Sequence, residues 1–78
     1  MKLSIYTITD TLFDGQAEKL IAPTTTGEIT VLDGHIPLIS RLTGAVNIID
    51  KEGKRNIIEI ASGFMEVRPN SEVVIVAE

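Results

Sequence analysis

Pro23-Thr24-Thr25-Thr26-Gly27-Glu28-Ile29-Thr30-Val31-Leu32-Asp33-Gly34-His35-Ile36-Pro37-Leu38-Ile39 is the stretch on which the reading of this chain turns. It holds two of the three prolines, two of the six glycines and the single histidine. A strand-like core, Ile29 to Leu32, lies between two turn signals. Thr26-Gly27 opens it. Asp33-Gly34 closes it, because glycine tolerates positive φ and Asp33 can bond the backbone of its own turn. Pro37 removes an amide hydrogen and pushes Ile36 towards an extended conformation. The segment therefore reads as a short strand ending in a rigid, kinked loop that presents Glu28 and His35, with the aliphatic Ile36, Leu38 and Ile39 directly after. Special backbone chemistry in a loop marks a functional candidate. The plainer reading is that Asp-Gly and proline only turn a corner between strands, and short motifs of this kind are weak on their own.

The same strand-and-turn grammar continues in both directions. Upstream, Leu3, Ile5 and Thr7 alternate with Ser4, Tyr6 and Ile8 as a first strand with a mixed outer face. Leu12-Phe13-Asp14-Gly15 reads as two apolar residues and a turn. Ala17 to Ala22 reads as a second strand, stopped by Pro23. Downstream, Ser40-Arg41-Leu42-Thr43-Gly44 reads as a connection, and Ala45 to Asp50 as a strand. Asp50-Lys51-Glu52-Gly53-Lys54-Arg55 is a solvated hairpin tip, and Asn56 to Ala61 is its return strand. Ser62-Gly63 is expected to break or bulge the ladder. Phe64 to Arg68 is a strand, Pro69-Asn70-Ser71 a turn, and Glu72 to Ala77 a largely buried closing strand.

Composition agrees. Isoleucine, valine and threonine supply 26 of the 78 residues, and such β-branched side chains are stiff at χ1 and suit a pleated surface. No stretch shows a sustained helical apolar period. Turn signals recur roughly every 8–12 residues, the spacing of a sandwich or small barrel. The expected fold is all-β, a small sandwich of two mostly antiparallel sheets in one domain, residues 1–78.

Bulk properties narrow the function. A chain of this length buries only about 60–65% of the surface its unfolded form exposes, so stability from its own core is modest. The absence of cysteine excludes disulfides and thiolate metal sites. A net charge of −4 argues against nucleic acid or an anionic lipid surface as partner. No apolar run nears the roughly 20 residues of a membrane span, and the N-terminal segment has no signal-peptide core, so an untargeted intracellular protein is expected. One histidine makes a protein metal site improbable. None of Ser4, Ser40, Ser62 or Ser71 lies in a nucleophile elbow, and there is no glycine-rich phosphate loop. No catalytic residue, metal or cofactor is expected. What remains is binding: a carboxylate and an imidazole beside aliphatic residues suit an interface with an apolar centre and polar rim.

Three groups of residues then carry a resemblance: Leu12-Phe13-Asp14-Gly15; Pro23 to Ile29 with Leu32-Asp33-Gly34-His35-Ile36-Pro37-Leu38; and Ser62-Gly63-Phe64-Met65-Glu66-Val67-Arg68-Pro69-Asn70. The Gly-His-x-Pro and Gly-Phe-x-Glu-Val-x-Pro-Asn elements are specific at this spacing. The chain resembles, over its whole length, the N-terminal β-sandwich domain of the epsilon subunit of F-type ATP synthases (delta in mitochondrial naming). The resemblance implies two five-stranded sheets and a non-catalytic place in the rotor's central stalk, against the gamma subunit and the polar loops of the c-ring, coupling ion flow to ATP synthesis. By position it implies ring docking through Gly27, Glu28, Gly34, His35 and Ile36, and a gamma interface through Thr7, His35 and Ser40. It implies membrane contact only through the complex, at the cytoplasmic face of a bacterial plasma membrane.

The sequence departs from that pattern in three places. Asp33 stands where the family usually has proline, and Asp-Gly still makes a good turn. Ser62 stands where the family often has glycine. The residues stop at Glu78, without the family's C-terminal helical hairpin, so neither that hairpin's inhibition of ATP hydrolysis nor a nucleotide site is expected. Two other readings stay open: an unrelated small β adaptor that binds a protein partner by edge-strand addition, and an enzyme subunit acting through His35.

Overall fold

Leu3 and Ile5 are fully buried on the core face of their strand, Ser4 between them is also buried, and only the ends Lys2 and Tyr6 are exposed. They lie on β1 (Lys2–Tyr6), the first of seven strands. The others are β2 (Thr11–Gln16), β3 (Lys19–Thr24), β4 (Gly27–Leu32), β5 (Leu38–Ile49), β6 (Arg55–Arg68) and β7 (Glu72–Ala77). The structure, a computed structural model, describes residues 1–78. The strands form one hydrogen-bonded ladder in the order β2-β1-β7-β6-β5-β3-β4. All pairs are antiparallel except β1 with β7, which run parallel.

A flat sheet of seven strands would be about 30 Å wide and, as a single layer, about 10 Å thick. The molecule measures 27 × 22 × 20 Å. The ladder is therefore folded over on itself, and the long strands β5 and β6 serve both layers. In one layer β2, β1, β7, residues 63–68 of β6 and residues 38–42 of β5 lie side by side. In the other, residues 55–60 of β6, residues 44–49 of β5, β3 and β4 do so. The two expected sheets are thus halves of one ladder, with five strand segments in the first and four in the second. Sixteen buried apolar residues fill the space between them, among them Leu3, Ile5, Val73 and Ile75 from the first layer and Leu20, Ala22, Val31, Val46 and Ile48 from the second.

The fold line has a local cause. Leu42 pairs with Gly63 and Gly44 with Ile60, so Thr43 faces two residues, Ala61 and Ser62. One extra residue reverses which side chains face the core. The burial of β6 shows this: Ile60 is buried before the bulge, and Gly63, Met65 and Val67 after it. The expected irregularity at Ser62-Gly63 is this bulge.

The turns are made by the residues that suggested them. Thr24 and Gly27 close the β3–β4 hairpin, with the Thr24 hydroxyl donating to the Gly27 carbonyl and accepting from the Thr26 amide. At the β5–β6 tip one Asp50 carboxylate oxygen accepts from the amides of Glu52 and Lys54, at 3.0 and 2.9 Å. Asn70 and Ser71 take left-handed φ values of 67° and 56° between β6 and β7.

Four expectations needed correction. Leu12-Phe13-Asp14-Gly15 is not a turn but the middle of β2, where Phe13 lies opposite Ile5 and Gly15 opposite Leu3. Ser40 to Gly44 is not a connection but part of β5. Pro23 does not end its strand: it pairs with Glu28 on the β4 side, while the register towards β5 shifts between Ile21 and Thr24, where proline has no amide to donate. The closing strand β7 is buried on one face only, since Val76 is 51% exposed.

Candidate functional site

The corner between β4 and β5 is built on its turn. The His35 amide donates to the Leu32 carbonyl at 3.1 Å, which closes a four-residue turn. Gly34 holds φ at +79°, a value that costs other residues roughly 1–2 kcal/mol. The turn is then braced from outside. The Gly34 amide donates to the Ser71 hydroxyl at 3.1 Å. The Asp33 carboxylate lies 2.8 Å from the Met1 ammonium, which also donates to the Ala17 carbonyl at 2.8 Å. The corner is thereby tied to the start of β1 and to the β6–β7 turn.

On this braced corner Ile36 is 74% exposed. His35 is half-buried, and its Nδ1 lies 2.7 Å from the Ile36 carbonyl. A carbonyl only accepts, so Nδ1 carries the proton in the neutral ring and Nε2 keeps its lone pair for a further partner. Glu28 is exposed, opposite Pro23, and makes no ion pair.

The structure divides what the sequence reading put on one loop. Glu28 lies at the start of β4, beside the hairpin whose Thr24 pairs with Leu42 at the fold line. His35 lies past the other end of β4, beside Ser71 and Met1. From Glu28 to Leu32 the extended strand alone covers about 13 Å, and the Leu32–His35 turn lies beyond it. Gly27 and Glu28 thus form one exposed point, and Gly34, His35 and Ile36 a second, joined by the edge strand β4.

Thr7, His35 and Ser40 form no contact cluster. Thr7 follows β1 at the β1–β2 tip, where its hydroxyl accepts from the amides of Thr9 and Asp10 at 3.3 and 2.9 Å. That tip is at the opposite end of β1 from the brace at His35. Ser40 is half-buried on the core-facing side of β5, in phase with Leu38 and Leu42, and its hydroxyl donates to the Arg41 carbonyl.

Sequence reasoning missed one row altogether. Arg41 pairs with Phe64, Phe64 with Val76 and Val76 with Tyr6, so these four residues line up across four strands on the outer face of the first layer. Phe64 is 53% exposed, and the Arg41 guanidinium lies 5.2 Å from its ring centroid, within cation–π range. Each residue looks ordinary on its own strand; only the cross-strand register assembles the row.

Comparison with known proteins places this arrangement. Residues 1–78 match the model of the ATP synthase Delta/Epsilon chain β-sandwich domain. An ATP synthase epsilon chain from Exiguobacterium sp. is 43% identical over 67 residues, covering 85% of this chain and 48% of that protein. The chain therefore spans about half the length of this relative. Two solved structures share its fold. A chain of the Euglena gracilis mitochondrial ATP synthase, in a structure of OSCP, F1 and c-ring, superposes with a TM-score of 0.90 at 23% identity, covering 96% of this chain and 48% of that one. A chain of the Tetrahymena thermophila mitochondrial ATP synthase central stalk and c-ring gives 0.80 at 15%, covering 99% and 62%. With its full span matched and its two-layer strand fold in agreement, the chain belongs to the ATP synthase Delta/Epsilon chain β-sandwich domain family.

Proposed function

We propose that the chain is a non-catalytic part of the central stalk of an F-type ATP synthase, docked on the gamma subunit and the c-ring so that ring rotation is passed to the catalytic head. The family match over all 78 residues carries this reading. The name of the Exiguobacterium relative and the stalk and c-ring assemblies that hold the two structural neighbours support it. In this reading the complex sits at the cytoplasmic face of a bacterial plasma membrane, and the chain meets that membrane only through its partners.

Physical properties suit the role. Torque crosses such a contact, so the docking points must be stiff. Both are: Gly27 closes a two-residue hairpin with Thr24 and Glu28 follows it opposite Pro23, and the corner carrying Gly34, His35 and Ile36 is braced at Ser71 and Met1. A backbone held before binding loses little entropy on binding. Ile36 supplies exposed apolar area, Glu28 a free carboxylate for a basic group on a ring loop, and His35 Nε2 an acceptor; charge at such a rim sets orientation more than affinity. Thr7, His35 and Ser40 remain proposed gamma contacts at separate places, Ser40 half-buried on the core-facing side of β5 and the Arg41–Phe64–Val76–Tyr6 row on the outer face of the same layer.

Titration of the 78-residue chain against a gamma–c-ring complex tests this. Ile36→Asp should weaken binding by roughly 10- to 30-fold, as expected for an apolar anchor. Glu28→Lys should weaken it less and in a salt-dependent way. Neither should lower the melting temperature appreciably, because both side chains are exposed. No binding of the unmodified chain at micromolar concentration, or equal affinity for all three proteins, would refute the assignment.

A further inference from the structure

The Met1 ammonium belongs to a buried residue and has two partners, the Ala17 carbonyl and one Asp33 carboxylate oxygen, each at 2.8 Å. Glu18, Asp50 and Glu52 line the cleft beside it, but none comes within ion-pair distance, so Asp33 is its one charged partner. The two ends of this pair are held very differently. Met1 is a fixed post. Its side chain lies in the core, its carbonyl accepts from the Ala17 amide at 2.9 Å, and the Lys2 amide donates to the Ser71 carbonyl at 3.0 Å. Residues 33–37 belong to no strand, and none of them is buried. Beyond the Leu32–His35 turn, two polar contacts tie them to the rest of the molecule: the Asp33 ion pair and the Gly34 amide on the Ser71 hydroxyl.

We propose that the α-amino group of Met1 is a modification-sensitive positioning group for the docking corner, a role that rests on the stalk reading above. Charged, it holds Asp33 and with it residues 34–36 in the docking conformation; an acyl group on its nitrogen releases them. Acylation turns the ammonium into a neutral amide. The attraction to the Asp33 carboxylate is lost, and one N–H then has two acceptors to serve in place of an ammonium's three donors. The acyl group also needs room beside a residue that is already buried. The core and the contacts of Met1 with Ala17 and Lys2 with Ser71 keep the post in place, so the corner is the part that yields. A corner in its docking conformation for about a tenth of the time binds about tenfold more weakly.

The 78-residue chain, synthesised with a free or an acetylated Met1, tests this together with Asp33→Asn, which removes the carboxylate charge and leaves Met1 untouched. With the free amine, backbone order parameters at residues 34–36 should be about 0.85; in the acetylated chain and in Asp33→Asn they should fall below about 0.6, with β5, β6 and β7 unchanged. Acetylating the Asp33→Asn chain should add little, since both changes break one pair. Affinity for the gamma–c-ring complex should fall about tenfold on acetylation. Should the acetylated chain fail to fold, Asp33→Asn reads the same loosening. Equal order parameters at residues 34–36 in the free-amine chain and the folded variants would overturn the proposal, and so would a loosened corner with unchanged affinity. A free-amine chain that does not bind the complex sinks the stalk reading, while the order parameters still decide whether Met1 holds the corner.

Discussion

Gly63→Val is expected to remove most of the stability of this chain. A Cβ at residue 63 would lie 2.5 Å from the Val76 carbonyl oxygen and 3.1 Å from the Ala77 Cα. Both are backbone atoms of β7, so no side chain can swing aside to make room. The strand must move, and it moves at the bulge where β6 passes from one layer to the other. Overpacking a core commonly costs about 1–3 kcal/mol. Here the obstacle is backbone and the β6–β7 ladder is broken with it, so a loss of at least about 3 kcal/mol is expected. A chain of this size has roughly 4–12 kcal/mol in total. Urea unfolding followed by circular dichroism measures the loss. A midpoint within error of the unmodified chain would show that β6 and β7 do not pack this closely.

Leu42→Ala should be nearly as damaging, for the opposite reason. Leu42 is fully buried and sits on the fold line, paired with Gly63 on one side and Thr24 on the other. Its side chain fills space where the two layers share a strand, and the backbone around it cannot collapse without closing the fold. A buried Leu→Ala change costs about 2–5 kcal/mol depending on how far the site relaxes, and the upper part of that range is expected. The same unfolding experiment reads it. A cost below about 1 kcal/mol, the scale of a surface change, would place Leu42 outside the shared core.

Much of this architecture could be read from residues alone because its turns announce themselves. Gly34 takes the positive φ expected of it, Asn70 and Ser71 make the expected turn with left-handed φ values, and the tip at residues 50–54 closes on Asp50 as an acceptor. Alternation identified β1 and the return strand through Ile60. The errors arose where a turn-like pair sits inside a strand. Asp14-Gly15 belongs to the edge strand β2, where Asp14 lies opposite Ser4 and Gly15 lies under the Phe13 ring. Thr43-Gly44 faces a bulge, and Gly44 takes φ +104° there without ending β5. Whether Gly marks a turn or a bulge is decided by the partner strand, which local sequence does not contain. The site was legible in the same measure. The exposed points Glu28 and Ile36 were named correctly as surface residues, but their separation along β4 and the row from Arg41 to Tyr6 follow from register, a long-range property.

In the proposed function, rotor partners grip two stiff points on the β4 side, Gly27 with Glu28 and Gly34 with His35 and Ile36. Hydrogen exchange of the chain, free and bound to a gamma–c-ring complex, tests it most directly. Slowed exchange is expected in the bound state at residues 27–28 and 34–36, with the edge at residues 55–60 unchanged. Slowing confined to residues 55–60, with residues 27–28 and 34–36 exchanging as in the free chain, would contradict it.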